Sequence, residues 1–334
     1  MSPLRVISQA EVTRLLPMRE CIALMEEALK SLARGEVVLP LRPILRIPDS
    51  PNVFAMMPTY SSVLPAFGVK LITVFPDNHG TDLDSHQGAV ALFDAKRGQL
   101  VALLDASSIT AIRTAAVSAV ATRLLAREGA STLAILGSGV QARTHLAAMR
   151  EVRSVTSVRV WSRKADHARD FAAWAGRELH VEVEVKPTAE GAVRDADIIC
   201  TTTAAREPVL QGAWLASGAH INAVGSSAAT TRELDTEAVI RSRVYTDRRE
   251  SALNEAGDML IPMKEGRITK DHLIAELGEV LIGTAPGRGG AEEITLFKSL
   301  GIAIEDLVSA CHVYGRAERE KVGTVVELGG TRGS

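Results

Sequence analysis

Cysteine is scarce in this chain, with three residues in 334, and Cys21, Cys200 and Cys311 are scattered along it. That spacing excludes a disulfide framework or a zinc site, so no metal is expected and the thiols read as reduced. Neither sign of charge is in excess: the net charge is −2 with 23% charged residues, which gives nucleic acid or an anionic membrane nothing to hold. No apolar run is long enough to span a bilayer, and the first thirty residues mix charge with apolar positions in place of a signal-peptide block. A cytoplasmic location is the expectation. Repeats and low-complexity tracts are missing too, apart from a glycine-rich end at 329–334 that is expected to fray. What is present is an ordinary hydrophobic fraction of 46% over 334 residues. Single cores seldom grow past about 250–300 residues, so two domains are expected.

The second of these centres on Thr132-Leu133-Ala134-Ile135-Leu136-Gly137-Ser138-Gly139-Val140-Gln141-Ala142, an apolar run feeding a glycine turn that opens into a helical pattern. Gly137 would turn off the strand. Gly139 would let backbone amides of Ser138, Val140 and Gln141 approach a pyrophosphate at the positive end of the helix, with Ala142 in the third small position. A second strand follows at 157–161, and at its end stand Ser162, Arg163 and Lys164. An NAD-selective site would place Asp or Glu there to bind the ribose hydroxyl. Cations in that place favour NADP(H), with NAD(H) open, although Arg163 and Lys164 read equally as solvated residues at a helix start.

Earlier in the chain, Cys21, Met25, Leu29 and Leu32 recur at helical spacing over 17–33, and Gly35 follows as a stop. Extended runs at 53–57 and 68–75 come next. A hairpin is expected in which 89–93 and 100–104 flank the turn 94–98, so this region is strand-rich and antiparallel. Ser107 and Ser108 can cap a buried helix running to about Arg127. Beyond Gly129, strands at 133–136, 158–161, 181–185, 198–202, 219–224 and 244–246 alternate with helices and fit a six-stranded parallel sheet. The glycine-rich segment 283–290 reads as mobile, and 294–314 as a last long helix.

Five blocks occur together: Gly68-Val69-Lys70; Ser85-His86-Gln87-Gly88; Thr110-Ala111-Ile112-Arg113-Thr114-Ala115-Ala116; the Gly137 turn; and Glu293-Ile294-Thr295-Leu296-Phe297-Lys298-Ser299. Their order and spacing resemble those of the ornithine cyclodeaminase/mu-crystallin family over nearly the whole length. The resemblance implies an α/β chain: a Rossmann dinucleotide-binding domain at 121–302 and a strand-rich α+β substrate-binding and dimerisation domain at 1–120, joined by a C-terminal helix at 303–325. It also implies a homodimer and an active site in the cleft between domains. Family activities move hydride at a carbon bearing nitrogen and carboxylate. Thr114, Thr202, Ser226, Ser227 and Leu300 would join the glycine turn around the cofactor.

A 2-imino acid needs a cationic clamp, and Arg42 and Arg113 resemble the family's. From sequence alone, Arg42 beside Pro40 and Pro43 reads as a solvated loop residue, and Arg113, in a helix that otherwise reads as buried, has half of a structural ion pair as its alternative. Lys70 lies in an apolar strand; facing a cleft, its pKa would fall and it would handle the proton on the substrate nitrogen, whereas on an edge it would face water. By resemblance Gln87 stands near the nicotinamide, and His86 ranks below Lys70 as an acid-base group. Cyclodeaminases of the family carry an Asp after the strand that ends here at Gly225, where this chain has Ser227 or its neighbours. A hydroxyl does not ionise near neutral pH. The implied reaction is NAD(P)H-dependent reduction of a ketimine such as Δ1-pyrroline-2-carboxylate or Δ1-piperideine-2-carboxylate to the L-amino acid. Alanine dehydrogenation or reduction of an acyclic imine such as iminosuccinate is the alternative, with ornithine cyclodeamination and non-enzymatic ligand binding behind it.

Overall fold

In the computed structural model, residues 4–78 and 81–329 are described, and the expected fraying of 330–334 lies outside them. The chain divides into two compact units, Met1–Arg113 with Ile302–Ser334, and Thr114–Gly301.

The first unit is built on an eight-stranded sheet. Its order runs Thr324–Val326, Leu4–Ile7, Leu100–Asp105, His86–Asp94, Ala66–Val74, Val53–Ser61 and Val37–Val38, with Ile44–Arg46 also paired to Val53–Ser61. The pairing is antiparallel except between Leu4–Ile7 and Leu100–Asp105. Alternation sets one face of Ala66–Val74 inward, so Gly68, Lys70 and Ile72 are buried while their neighbours are not. Helix Met18–Ala33 buries Cys21, Ile22, Met25, Ala28 and Leu29, a stripe at helical spacing, and packs on helix Ala303–Glu320.

Helix Ala106–Leu125 starts one residue earlier than the expected serine caps. Asp105 fills the capping position, its carboxylate accepting the Ser108 amide at 2.7 Å. Ser107 and Ser108 therefore sit inside the first turn, and the Ser107 hydroxyl donates to the His86 carbonyl. A carboxylate just before the helix reaches the third amide as well as a hydroxyl does and also opposes the positive end of the dipole.

The second unit is a Rossmann-like parallel sheet of eight strands in the order Glu184–Val185, Ser157–Trp161, Thr132–Leu136, Ile198–Thr201, His220–Ala223, Ile294–Lys298, Ser242–Thr246 and Leu273–Glu276. The order reverses at Thr132–Leu136, which is the topological switch point of doubly wound sheets. Two of the eight strands depart from the expected six. Ile294–Lys298 is an interior strand, not the start of a helix; every residue in it is buried, and a short apolar run covered on both faces has no periodicity to tell strand from helix. The helix that follows begins at Ala303 and ends at Glu320, and residues 324–326 form a strand, shorter than the expected helix to 325. Leu273–Glu276 adds the eighth strand. Segment 283–290 is tied down, not loose, by Arg288, whose guanidinium donates to the carbonyls of Leu125, Gly290, Glu293, Gly218 and Ala219. Among the described residues, no helix is long and apolar enough to cross a membrane.

Candidate functional site

In the first unit, strand Ala66–Val74 lies between Val53–Ser61 and His86–Asp94, so Lys70 is not on an edge, and it is only 2% exposed. Its Nζ donates to Asp306 Oδ1 at 3.0 Å and to Thr110 Oγ1 at 3.3 Å, and lies 2.9 Å from Asp306 Oδ2. Arg113, 4% exposed, donates through Nε to Asp306 Oδ1 at 3.1 Å and through Nη1 to Glu305 Oε2 at 2.7 Å. Of the two readings of Arg113, the ion pair is therefore present in the fold.

Burial pushes the Lys70 ammonium down, and the charges of Arg113 and Arg42 push the same way while Asp306 opposes them, leaving it at about 8. Half-buried Arg42 thus belongs to the electrostatic neighbourhood of Lys70. Lys70, Arg113, Arg42, Asp306 and Glu305 form one charged set. Gln87 is not brought into the set. Lys70 pairs with Val90 and Thr73 with Gln87, so alternation puts Gln87 on the other face of the sheet, where its amide donates to the Asp84 carbonyl. His86, opposite Val74, falls on the Lys70 face.

In the second unit, Ser162, Gly137, Thr202, Ser226 and Leu300 each follow the carboxyl end of one of five adjacent parallel strands. Ligands of open α/β sheets bind along that edge. Gly137 has φ +116°, and a Cβ there would stand 2.7 Å from the Thr202 carbonyl oxygen, so only glycine fits. Gly139 occupies the capping position of helix Val140–Val152 without a side-chain cap, which leaves the first amides for an anion, and Val140 is exposed beside them. Ser138 Oγ donates to Ser162 Oγ at 3.0 Å, and Thr202 Oγ1 to the Leu136 carbonyl at 3.2 Å. Arg163 and Lys164 are exposed where helix Ala165–Leu179 begins. The donor set fits a dinucleotide diphosphate: an uncapped helix start beside a turn with glycine at 137 and 139. Thr114 is buried in helix Ala106–Leu125, next to Arg113.

Several polar residues that organise these ends escaped the sequence reading. Glu233, fully buried, accepts from Thr201 Oγ1 at 2.7 Å, from the Thr203 amide at 2.7 Å and hydroxyl at 2.6 Å, and from the Gly225 amide at 2.6 Å. Asp258 accepts the Glu233 and Leu234 amides and pairs with Lys298 at 3.0 Å, while Lys298 donates to the Ser226 carbonyl. Asp247 accepts the Leu300 and Gly301 amides at 2.7 Å each. Ser226 is buried, its hydroxyl donating to the Thr231 carbonyl at 2.6 Å, and Ser227 beside it is exposed. Glu305 and Asp306 carried a usable signal, two adjacent acids in an otherwise apolar helical stretch.

The family model for the ornithine cyclodeaminase/mu-crystallin family matches residues 4–321. The mouse (Mus musculus) ketimine reductase mu-crystallin is 42% identical over 293 residues, 87% of this chain and 90% of that one. The structure of Δ1-pyrroline-2-carboxylate reductase from Thermococcus litoralis, in complex with NADH and L-proline, is similar with a TM-score of 0.94 and 39% identity, covering 96% of this chain and 100% of that chain. An archaeal alanine dehydrogenase dimer with bound NAD is similar with a TM-score of 0.92 and 30% identity, covering 98% of this chain and 99% of that chain. A match that runs almost end to end, with both units included, establishes that the chain belongs to the ornithine cyclodeaminase/mu-crystallin family.

Proposed function

We propose that this protein reduces a cyclic 2-imino acid, such as Δ1-pyrroline-2-carboxylate or Δ1-piperideine-2-carboxylate, to the L-amino acid with a nicotinamide dinucleotide. The observation that carries the reading is the buried Lys70–Asp306–Arg113 set, in a chain similar to a pyrroline-2-carboxylate reductase holding NADH and L-proline. A nicotinamide dinucleotide held there would supply the hydride, and with it the two electrons, that convert the substrate C=N bond to C–N. Arg113 and Arg42 hold the substrate carboxylate. Lys70 gives the nitrogen its proton and regains one from solvent. The first unit is the substrate-binding and dimerisation domain in this reading, and the second binds the cofactor through Gly137–Gln141, Ser162, Thr202, Ser226 and Leu300.

Exposed Arg163 and Lys164, where an acid would mark NAD, support NADP(H) as the preferred cofactor with NAD(H) also used. A homodimer is supported by the exposed apolar row Val38 and Phe67, flanking Tyr60 on paired strands, and by likeness to the dimeric alanine dehydrogenase. Sedimentation at micromolar concentration should give twice the chain mass. Free thiols that are buried at Cys21 and Cys200 suit the reducing cytoplasm.

Alanine dehydrogenation or reduction of an open-chain imine such as iminosuccinate is the second reading, favoured by that same likeness. Oxidation of NADPH and NADH with pyrroline-, piperideine- and open-chain 2-imino acids separates them. Turnover should be fastest with a cyclic substrate. Cofactor binding without turnover on any imino acid would replace catalysis with ligand binding.

A further inference from the structure

Helix Ala303–Glu320 places Glu305 and Asp306, 0% and 1% exposed, in a stretch otherwise made of apolar and small residues. Stability alone does not account for them, because well-packed apolar residues often do as well as a buried ion pair. Asp306 does something an apolar residue could not. Its Oδ1 accepts from Lys70 on one strand and from Arg113 on a separate helix, at 3.0 and 3.1 Å, so one oxygen fixes the distance between the two cations.

We propose that Asp306 is the positioning residue of the reduction site: it anchors the Lys70 amine beside Arg113 and keeps that amine charged as a proton donor at neutral pH. The inference rests on the imine-reduction reading and deepens it. Lys70 is faced by Asp306 from helix Ala303–Glu320, with Glu305 behind it on Arg113, by Arg113 and Thr110 from helix Ala106–Leu125, and by Arg42 from the segment before Ile44–Arg46. Burial and both arginines favour the neutral amine, and Asp306 favours the ammonium through charge and hydrogen bond. Asn at 306 keeps the shape and removes the charge.

With Lys70 at about 8, the protonated donor is lost as pH rises through that value, so reductive kcat falls there. In the reverse oxidation the free amine accepts the proton, and the rate rises through the same range.

The test compares wild type, Asp306→Asn and Asp306→Glu with one cyclic imino acid, so that the substrate's own titration is common to all. In Asp306→Asn the alkaline limb of kcat should move down by about one pH unit or more, since an opposite charge at hydrogen-bond distance has been removed. At pH 9, above both limbs, kcat should drop about tenfold relative to wild type while KM changes by less than about threefold. Asp306→Glu should hold the limb near the wild-type position at reduced kcat. If Asp306→Asn does not fold, Asp306→Glu decides alone, and full wild-type kcat in it overturns the proposal. An unmoved limb in Asp306→Asn with only a loss of urea stability makes Asp306 structural and also overturns it. NMR of protein carrying 13Cε-labelled lysine follows Lys70 without turnover. An inert wild type whose Lys70 still titrates lower in Asp306→Asn would sink the reduction reading and leave the role of Asp306 standing.

Discussion

At the scale of single residues, Arg113 and Arg163 carry separable claims. Arg113 holds Asp306 through Nε and Glu305 through Nη1, two directed contacts that the single ammonium of a lysine cannot copy. Arg113→Lys should raise KM for the imino acid about 10–100-fold, the size of one or two charge-assisted hydrogen bonds, with cofactor affinity nearly unchanged. Normal kinetics in a variant that merely melts earlier would confine Arg113 to the ion pair. Arg163 is exposed at the end of strand Ser157–Trp161, so its replacement leaves the core alone. Arg163→Asp should weaken NADPH far more than NADH, by about tenfold or more in the ratio of kcat/KM, because a phosphate partner becomes a repelling charge. Equal losses for both cofactors would remove the basis for NADP(H) preference.

At the scale of elements, the glycine turn and the buried network behind it make different predictions. Gly137→Ala forces a Cβ toward the Thr202 carbonyl at a left-handed φ. Strain of this kind costs about 1–3 kcal/mol, and dinucleotide affinity measured by fluorescence titration should fall with it. Lys298→Met leaves Asp258 buried and unpaired, which should cost about 3–5 kcal/mol in urea unfolding. The same substitution frees the Ser226 carbonyl and should weaken the cofactor; wild-type affinity and stability would show that the network carries neither load.

These elements were unequally legible. The strand, turn and helix from Thr132 to Val152 have a signature in which each glycine has a job, and the hairpin around 94–98 is marked by apolar runs on either side of the polar turn Asp94-Ala95-Lys96-Arg97-Gly98. Ile294–Lys298 was opaque because burial on both faces erases the period that distinguishes strand from helix. Lys298, Glu233 and Asp258 were opaque for a related reason: their partners are backbone groups and side chains far off in sequence, and no local pattern encodes them. Lys70 and Arg113 could be singled out as polar residues in apolar surroundings, but the carboxylates that hold them come from residues 305 and 306, almost two hundred positions past Arg113.

For the whole molecule, the central claim is the reaction, and Ser227 is where it divides from cyclodeamination. An exposed serine beside buried Ser226 offers no carboxylate to engage the side-chain amine of ornithine, while the Lys70–Arg113 set supplies what a preformed imino acid needs. The most direct measurement places both reactions side by side with the unmodified protein. It would follow NADPH and NADH oxidation with a cyclic 2-imino acid, and proline and ammonia formation from L-ornithine. Rapid imine reduction with slow or undetectable proline formation from ornithine is the expected result; proline formation from ornithine at a rate rivalling imine reduction would contradict the account.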